Sequence, residues 1–454
     1  MHNRDNLHRA ALLLIDLRLA KTVEAAYSIL NQYRLTVAIG QDAVNSESGQ
    51  ACLLTIINVA VRSCSGGVYV IGIKGDEPVL TTLASSKTLS QSIHDLGGTI
   101  ASEAPGDTPV ILLGDYNIPV KGSLKIRATY GGWSGGIVPE DENLRLSEDS
   151  KYPPAAIFAG VLAVSECFAH LFGNSVTAGS RTMGLSLYEP GSDWRQPVDK
   201  EIYLPESLWL LGLGHLGQAY AWTLAALPYP TDHKPTICLQ DFDVATEANL
   251  STSVLTHLSD LTKLKTRVVA TWLETKGFTT RMIERRFTGD LRIASNDPNE
   301  PKILLCGVDN LPTRRLLEKP GFQFIVDAGL GITAGDYDGF CVQTFTNTGR
   351  AATAFPESTR KQSPKKRIEN NQTAYDSLGL DQCGMHWAAD VMVGVPFVGV
   401  ATSCLVISSI IRSIAGDPVF ETISGSLRNI DLITTHKTEA TIRNPGYILP
   451  KLAS

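Results

Sequence analysis

Short apolar runs alternate along the chain with longer stretches of helical texture. Leu35–Ile39, Gly67–Ile73, Val110–Leu113 and Leu124–Ala128 are short and apolar enough to be buried strands. Residues 1–34, Gln50–Val61 and Ser86–Leu96 predict helices, and Pro153–Phe172 is a long apolar helix closed by Gly173. Residues 174–206 form a connector containing Ser, Gly and Pro. The scheme then repeats. Strands are expected at 208–211, 236–240, 302–306 and 323–328, with helices at 215–227, at 263–275 and from about 311.

Strands alternating with helices imply a parallel sheet covered on both faces. The expected class is therefore α/β, with two Rossmann-like halves, residues 1–200 and 201–454. The stretch Pro396–Gly416 matches Pro153–Gly173 in length, in its small and apolar residues and in its terminal glycine, which points to an internal duplication. The polar stretch 346–382, with its basic run Arg360–Arg367, is too long for an ordinary connection. A crossing loop over 346–390 or a disordered insert would account for it.

The chemistry concentrates in the second half. Strand 208–211 empties into Gly212-x-Gly214-x-x-Gly217 and then a helix. Gly212 permits the turn, Gly214 lets backbone N–H groups approach phosphate, and Gly217 lets helix and strand pack closely. Asp241 follows at about 20 residues, where a ribose-binding carboxylate is expected. Asp243, Asn249, Lys265 and then Asp309-Asn310 with Arg314 follow. Lysine balances phosphate charge, and a carboxylate beside it holds Mg²⁺, so the set suits a nucleoside triphosphate. The first half has no such loop: Ile39-Gly40 runs into Gln-Asp-Ala-Val-Asn.

Composition narrows the choice. The chain has 454 residues, a formal charge of −6, 43% hydrophobic and 19% charged residues, so nucleic-acid binding is not its main business. Its eight cysteines include no CxxC pair, which argues against zinc and against a disulfide framework. No signal peptide is expected at the N-terminus, and a cytoplasmic location is. Val391–Ile411 is apolar but broken by Pro and Gly, and is read as a buried helix rather than a membrane span.

The ordered set from Gly212 to Arg314 resembles the ubiquitin-activating-enzyme superfamily, which includes the bacterial adenylyltransferases of thiamine and molybdopterin synthesis. The resemblance covers about 205–345 well and the helix at 396–416 moderately. It implies ATP and Mg²⁺ as cofactors, with Asp241 on the ribose, Asn249 and Lys265 on the triphosphate and Asp309 on Mg²⁺. One departure is plain: the family's Asn-Leu-x-Arg-Gln becomes Asn249-Leu-Ser-Thr252-Ser253, so a phosphate-facing arginine is absent and Arg267 or another residue must substitute. Leu7-His8-Arg9-Ala10 is similar to the start of the helix from which a partner domain lends an arginine, with Arg9 in that place. The first half is then an inactive adenylation-like domain and the second an active one, a pseudo-dimer in one chain, with a homodimer left open.

The resemblance further implies a ubiquitin-like protein as partner, adenylated at its C-terminus, carried on a cysteine as a thioester and passed to a conjugating enzyme. Cys383, at the end of the polar loop with His386 nearby, is the candidate; Cys167, Cys238, Cys306, Cys341 and Cys404 are expected to be packing residues. The two-half layout without zinc cysteines looks like the activating enzymes of bacterial ubiquitin-like conjugation (antiphage) operons. Residues 417–454 are too few for the ubiquitin-fold domain that eukaryotic relatives use to recruit their conjugating enzyme. The alternatives are a sulfur-carrier adenylyltransferase, an NAD(P)-dependent oxidoreductase and a non-catalytic scaffold.

Overall fold

The computed structural model describes residues 6–451 except 118, 174, 295–296, 298–299, 347–348, 356–363, 379–384, 386–391 and 439–444. Seven strands form the first sheet: β1 Arg34–Ile39, β2 Gly67–Ile71, β3 Thr99–Ile100, β4 Val110–Leu113, β5 Lys125–Gly131, β6 Ser134–Pro139 and β7 Met183–Ser186. A ribbon pairs β8 Leu204–Pro205 with β17 Tyr447–Ile448. Eight strands form the second sheet: β9 Ser207–Leu211, β10 Thr236–Gln240, β11 Thr279–Ile283, β12 Ile303–Cys306, β13 Phe324–Leu330, β14 Gly339–Phe345, β15 Val419–Ser426 and β16 Thr434–Thr438.

The two sheets repeat one topology. The first runs β3-β2-β1-β4-β5-β6-β7, the second β11-β10-β9-β12-β13-β14-β15-β16. In each, the first five strands are parallel and the rest antiparallel. Both are mixed rather than wholly parallel; the edge strand Thr434–Thr438, reading Thr-Thr-His-Lys-Thr, carries little strand signal in the sequence.

The helices are α1 Arg9–Asp16, α2 Val23–Leu30, α3 Gln41–Val44, α4 Glu47–Ala60, α5 Leu89–Asp95, α6 Pro153–Phe172, α7 His215–Ala225, α8 Lys265–Thr275 and α9 Leu311–Arg314. Residues 1–34, expected as helix, resolve into α1 and α2, separated by Arg18 at φ 60° and with β1 beginning at Arg34. Thr22 caps α2 by accepting from Ala25 N–H at 3.1 Å.

Each sheet is followed, after its first antiparallel strand, by a long helix: α6 after β6, and Pro396–Ile414 after β14. Both start with Pro, where a missing N–H costs nothing, and α6 stops at Gly173 in the left-handed region, φ 69°. Apolar all round, each helix must be covered on every side. They pack against each other and against their own sheets, and Tyr152 and Ser408 hydroxyls meet at 2.9 Å. These two helices alone are long and apolar enough to cross a membrane among the described residues, and both are mostly buried inside the protein.

Candidate functional site

β9, β10 and β12 lie side by side, and their carboxyl ends bring three loops together. The chain passes from β9 to one side and later returns to the other, so the crevice opens where strand order switches. Gly212 stands at φ 81°, a conformation strained for any other residue. A methyl group on Gly217 would lie 1.9 Å from the Gly212 carbonyl oxygen, so α7 can approach the turn only with glycine there. Gly214 has nothing within 4 Å of the position a methyl would take. It caps α7 without any side-chain hydrogen bond, leaving the helix N-terminus open to an anion.

Asp241, at the end of β10, is buried. Its Oδ2 accepts from Leu213 N–H at 2.6 Å, and its Oδ1 accepts from Phe242 and Asp243 N–H at 2.7 and 2.9 Å. The carboxylate thus fixes the glycine loop against its own turn. Lys265 begins α8; its Nζ donates to Asp243 Oδ2 at 3.3 Å. Asn249 lies in a 3-10 turn, Glu247–Ser251, where its Oδ1 accepts from Thr246 N–H at 2.9 Å. Asp309 is exposed on the loop after β12, and that loop touches the glycine turn: a methyl on Gly212 would meet Val308 Cγ1 at 2.7 Å.

Arg314 is a brace for this loop. Its Nε donates to the Val308 carbonyl at 2.9 Å, its Nη2 donates to the Ala328 carbonyl at 2.6 Å, and it pairs with the buried Asp327 at 3.2 Å. Burial pushes the Asp327 carboxyl up to about 6, against the pull of Arg314 and of a hydrogen bond with Cys306.

Arg9 heads α1. Its backbone N–H donates to Ser251 Oγ at 3.2 Å. A methyl on Gly394 would lie 3.4 Å from Thr252 Cγ2 and 3.9 Å from Arg9 Cβ, so Arg9 and Thr252 are neighbours. Burial lowers the His215 ring to about 4, offset in part by a hydrogen bond with the Pro396 carbonyl, and the nearby charge of Arg9 lowers it further. His215, inside the glycine loop, is therefore an anchor. Its ring fills the space above Gly399, where a methyl would come within 2.4 Å of Nε2. Arg267, considered as a replacement for the absent arginine, instead pairs with Glu284 at 2.9 Å, just beyond β11.

Sequence reasoning passed over two residues that hold the site. Gln218, fully buried on α7, donates to the Leu213 carbonyl of the glycine loop at 3.2 Å and accepts from Leu255 N–H at 2.9 Å. Arg62, just beyond α4 in the first half, reaches across to the segment after Asn249. Gln218 is buried and Arg62 half-buried, and neither position is visible as such in the sequence.

The equivalent turn of the first half is filled. Asp42 Oδ1 accepts from Asp115 N–H at 2.8 Å, and Arg145 pairs with Asp42 and with Glu148, the latter at 2.6 Å. Asp42 stands two residues after Gly40, as Gly214 stands two residues after Gly212, so this turn carries a carboxylate where the second half has a bare backbone.

The polar stretch after β14 holds α10 Ala351–Ala354, α11 Pro364–Asn370 and α12 Gln372–Asp376. It crosses onto the first half: Arg367 pairs with Asp16 at 2.8 Å, and Val23 N–H donates to Ser377 Oγ at 3.4 Å. Arg367, the last residue of the basic run, is 7% exposed. Cys383 and His386 lie outside the described residues. Cys52, Cys64, Cys167, Cys238, Cys306 and Cys404 are buried and unpaired in disulfides, and Cys341 is half-buried.

The residues fit a magnesium nucleotide. Among the described residues no three His, Cys, Asp or Glu cluster to hold a metal. Mg²⁺ asks less: one or two carboxylates and the phosphates themselves suffice, and Asp309 is exposed to provide one.

Residues 34–187 match the family model described as the BilD N-terminal domain, and 204–417 that of the BilD C-terminal domain. A bacterial E1-like protein, BilD of Collimonas sp. (strain OK412), is 38% identical over 436 residues, covering 95% of this chain and 94% of that one. The crystal structure of SeMet PaaA aligns at 14% identity with a TM-score of 0.32, over 52% of this chain and 72% of that one, and carries no argument about the fold. With both halves matched, and a relative matched over nearly its whole length, the chain belongs to the BilD family of bacterial E1-like proteins.

Proposed function

We propose that the protein activates the C-terminus of a ubiquitin-like protein by adenylation. One observation carries this: the α7 N-terminus is uncapped and open over Gly214, with Asp241, Lys265 and Asp309 on the loops around it. The partner's carboxylate oxygen would attack the α-phosphorus of ATP; the bond to pyrophosphate breaks, leaving an acyl adenylate. Backbone N–H groups of the loop and Lys265 would hold the phosphates. Asp309 would hold Mg²⁺, which offsets charge on the leaving group. Arg9, beside Thr252, supplies a cation where the usual arginine is absent. The chain then works as a pseudo-dimer, an inactive half lending Arg9 to an active one. Cys383 would attack the adenylate's carbonyl, release AMP and carry the protein as a thioester for a conjugating enzyme.

The test is ATP–pyrophosphate exchange with purified ubiquitin-like proteins. Exchange is expected, and Asp309→Asn and Lys265→Met should each lower it by roughly 10²-fold. Nicotinamide binding without exchange would overturn adenylation in favour of an oxidoreductase. If Cys383→Ala still passes its cargo to a conjugating enzyme, the thioester role of that cysteine is wrong.

A further inference from the structure

We propose that Arg62 and Asn58, in the first half, are positioning residues for the second half's nucleotide site, holding the backbone of residues 250–256 so that Asn249 stands ready beside the glycine loop. This rests on the reading of Asn249 as a triphosphate contact.

The geometry is a clamp on three carbonyls. Arg62 Nη1 donates to the carbonyls of Leu250 at 2.7 Å and Thr256 at 3.2 Å, and Nη2 donates to that of Val254 at 3.1 Å. Its Nε donates to Asn58 Oδ1 at 3.1 Å, which fixes the plane of the guanidinium, and Asn58 Nδ2 donates to the Val254 carbonyl at 3.1 Å. Asn58 is 1% exposed. Three carbonyls turned toward one point repel each other unless a cation sits there, and only guanidinium offers enough donors in one plane. Burial draws Arg62 down to about 10, so the charge persists at neutral pH.

The opposite side of the segment is held by the active half. Gln218 Oε1 accepts from Leu255 N–H at 2.9 Å and from Thr256 Oγ1 at 3.1 Å, while its Nε2 reaches the Leu213 carbonyl. The segment is thus gripped between the glycine loop and Arg62. Asn249 forms its start: the Asn249 carbonyl accepts from Ser253 N–H at 2.8 Å. Without Arg62 the segment samples other conformations, and only a fraction of molecules present Asn249 correctly. Such a loss raises the apparent dissociation constant for nucleotide by the inverse of that fraction and leaves the rate at saturation intact. A merely structural loss lowers the amount of active protein, and so kcat, with KM unchanged.

The experiment measures ATP–pyrophosphate exchange with the ubiquitin-like partner for the wild type, Arg62→Gln, Arg62→Lys and Thr55→Val, alongside amide hydrogen exchange. Thr55→Val is the control: it removes a neighbouring bond between the halves, Trp222 Nε1–H to Thr55 Oγ1 at 2.9 Å, without touching 250–256. Arg62→Gln is expected to raise KM for ATP by roughly tenfold with kcat within about twofold, a tenfold drop in the competent fraction. The amides of Ser253 and Leu255 should exchange faster, Arg62→Lys should fall between, and Thr55→Val should keep the wild-type KM. Should Arg62→Gln not fold, Arg62→Lys, which keeps the charge, carries the same KM test. An exchanging wild type beside an Arg62 variant of unchanged KM overturns the positioning role alone. A wild type with no exchange overturns the adenylation reading, and the positioning role with it.

Discussion

Arg314 and Asp327 form a buried ion pair, 3.2 Å from Nε to Oδ1, that ties the loop carrying Asp309 to the neighbouring strand β13. Such pairs matter most when one partner is removed, because the other is left charged in a poor solvent. Arg314→Leu is expected to cost about 3–5 kcal/mol in urea unfolding at pH 8. At pH 5 the loss should shrink, since the orphaned Asp327, already raised to about 6, takes up a proton. An equal loss at both pH values would mean that Asp327 does not carry the charge assigned to it.

Gly217 and Gly214 should separate stability from binding. Gly217→Ala drives a methyl to within 1.9 Å of the Gly212 carbonyl, an overpacking cost of about 1–3 kcal/mol. Gly214→Ala meets open space at φ −83° and should change stability by no more than roughly 1 kcal/mol. Its methyl nevertheless projects where phosphate is expected, so nucleotide affinity should fall at least tenfold. Thermal unfolding and nucleotide titration read the two effects. Undiminished affinity in Gly214→Ala would remove the phosphate from this turn.

Acid should loosen the contact between α1, α7 and the second long helix. Burial lowers both His8 and His215 to about 4. A depressed folded-state value means the stability these rings contribute is present above pH 6.5 and is lost as pH falls toward 4. Each accounts for up to roughly 3 kcal/mol over that window. Urea midpoints followed from pH 7.5 to 4.5 should therefore flatten in His8→Gln and in His215→Gln. Curves parallel to wild type would show the rings to be titrating freely.

Nucleotide should bind once per chain. Asp42, held by Arg145 and by Asp115 N–H, puts a negative charge at the first half's turn, which repels phosphate. Calorimetric titration with ATP should saturate at one equivalent, and a second equivalent would locate a site in the first half.

Much of this was legible in the sequence because it is local. The spacing of Gly212, Gly214 and Gly217, and the apolar strand before them, force the turn wherever the chain goes next. The parallel strands and the two long helices announce themselves by being apolar on every side. The antiparallel strands β14–β16 do not, since a half-exposed strand such as Val419–Ser426 mixes polar and apolar residues. The residues that brace the site were hidden for a different reason. Arg62 contacts residues 188 to 194 positions away, and nothing around Val61-Arg62-Ser63 reveals that. Arg9 was singled out through its likeness to a known helix start, and Arg267, offered as one substitute for the absent arginine, pairs at the surface with Glu284.

The hydrogen bond between Arg9 N–H and Ser251 Oγ spans 242 residues. During synthesis the start of the chain must therefore wait for this bond until the midpoint has been passed. At roughly 5–20 residues per second, the interval between residues 9 and 251 is of the order of tens of seconds. Throughout it, α1 can pack on α2, but the emerging first half has no glycine turn of its own. Under the proposed adenylation, activity begins only once both halves have been made.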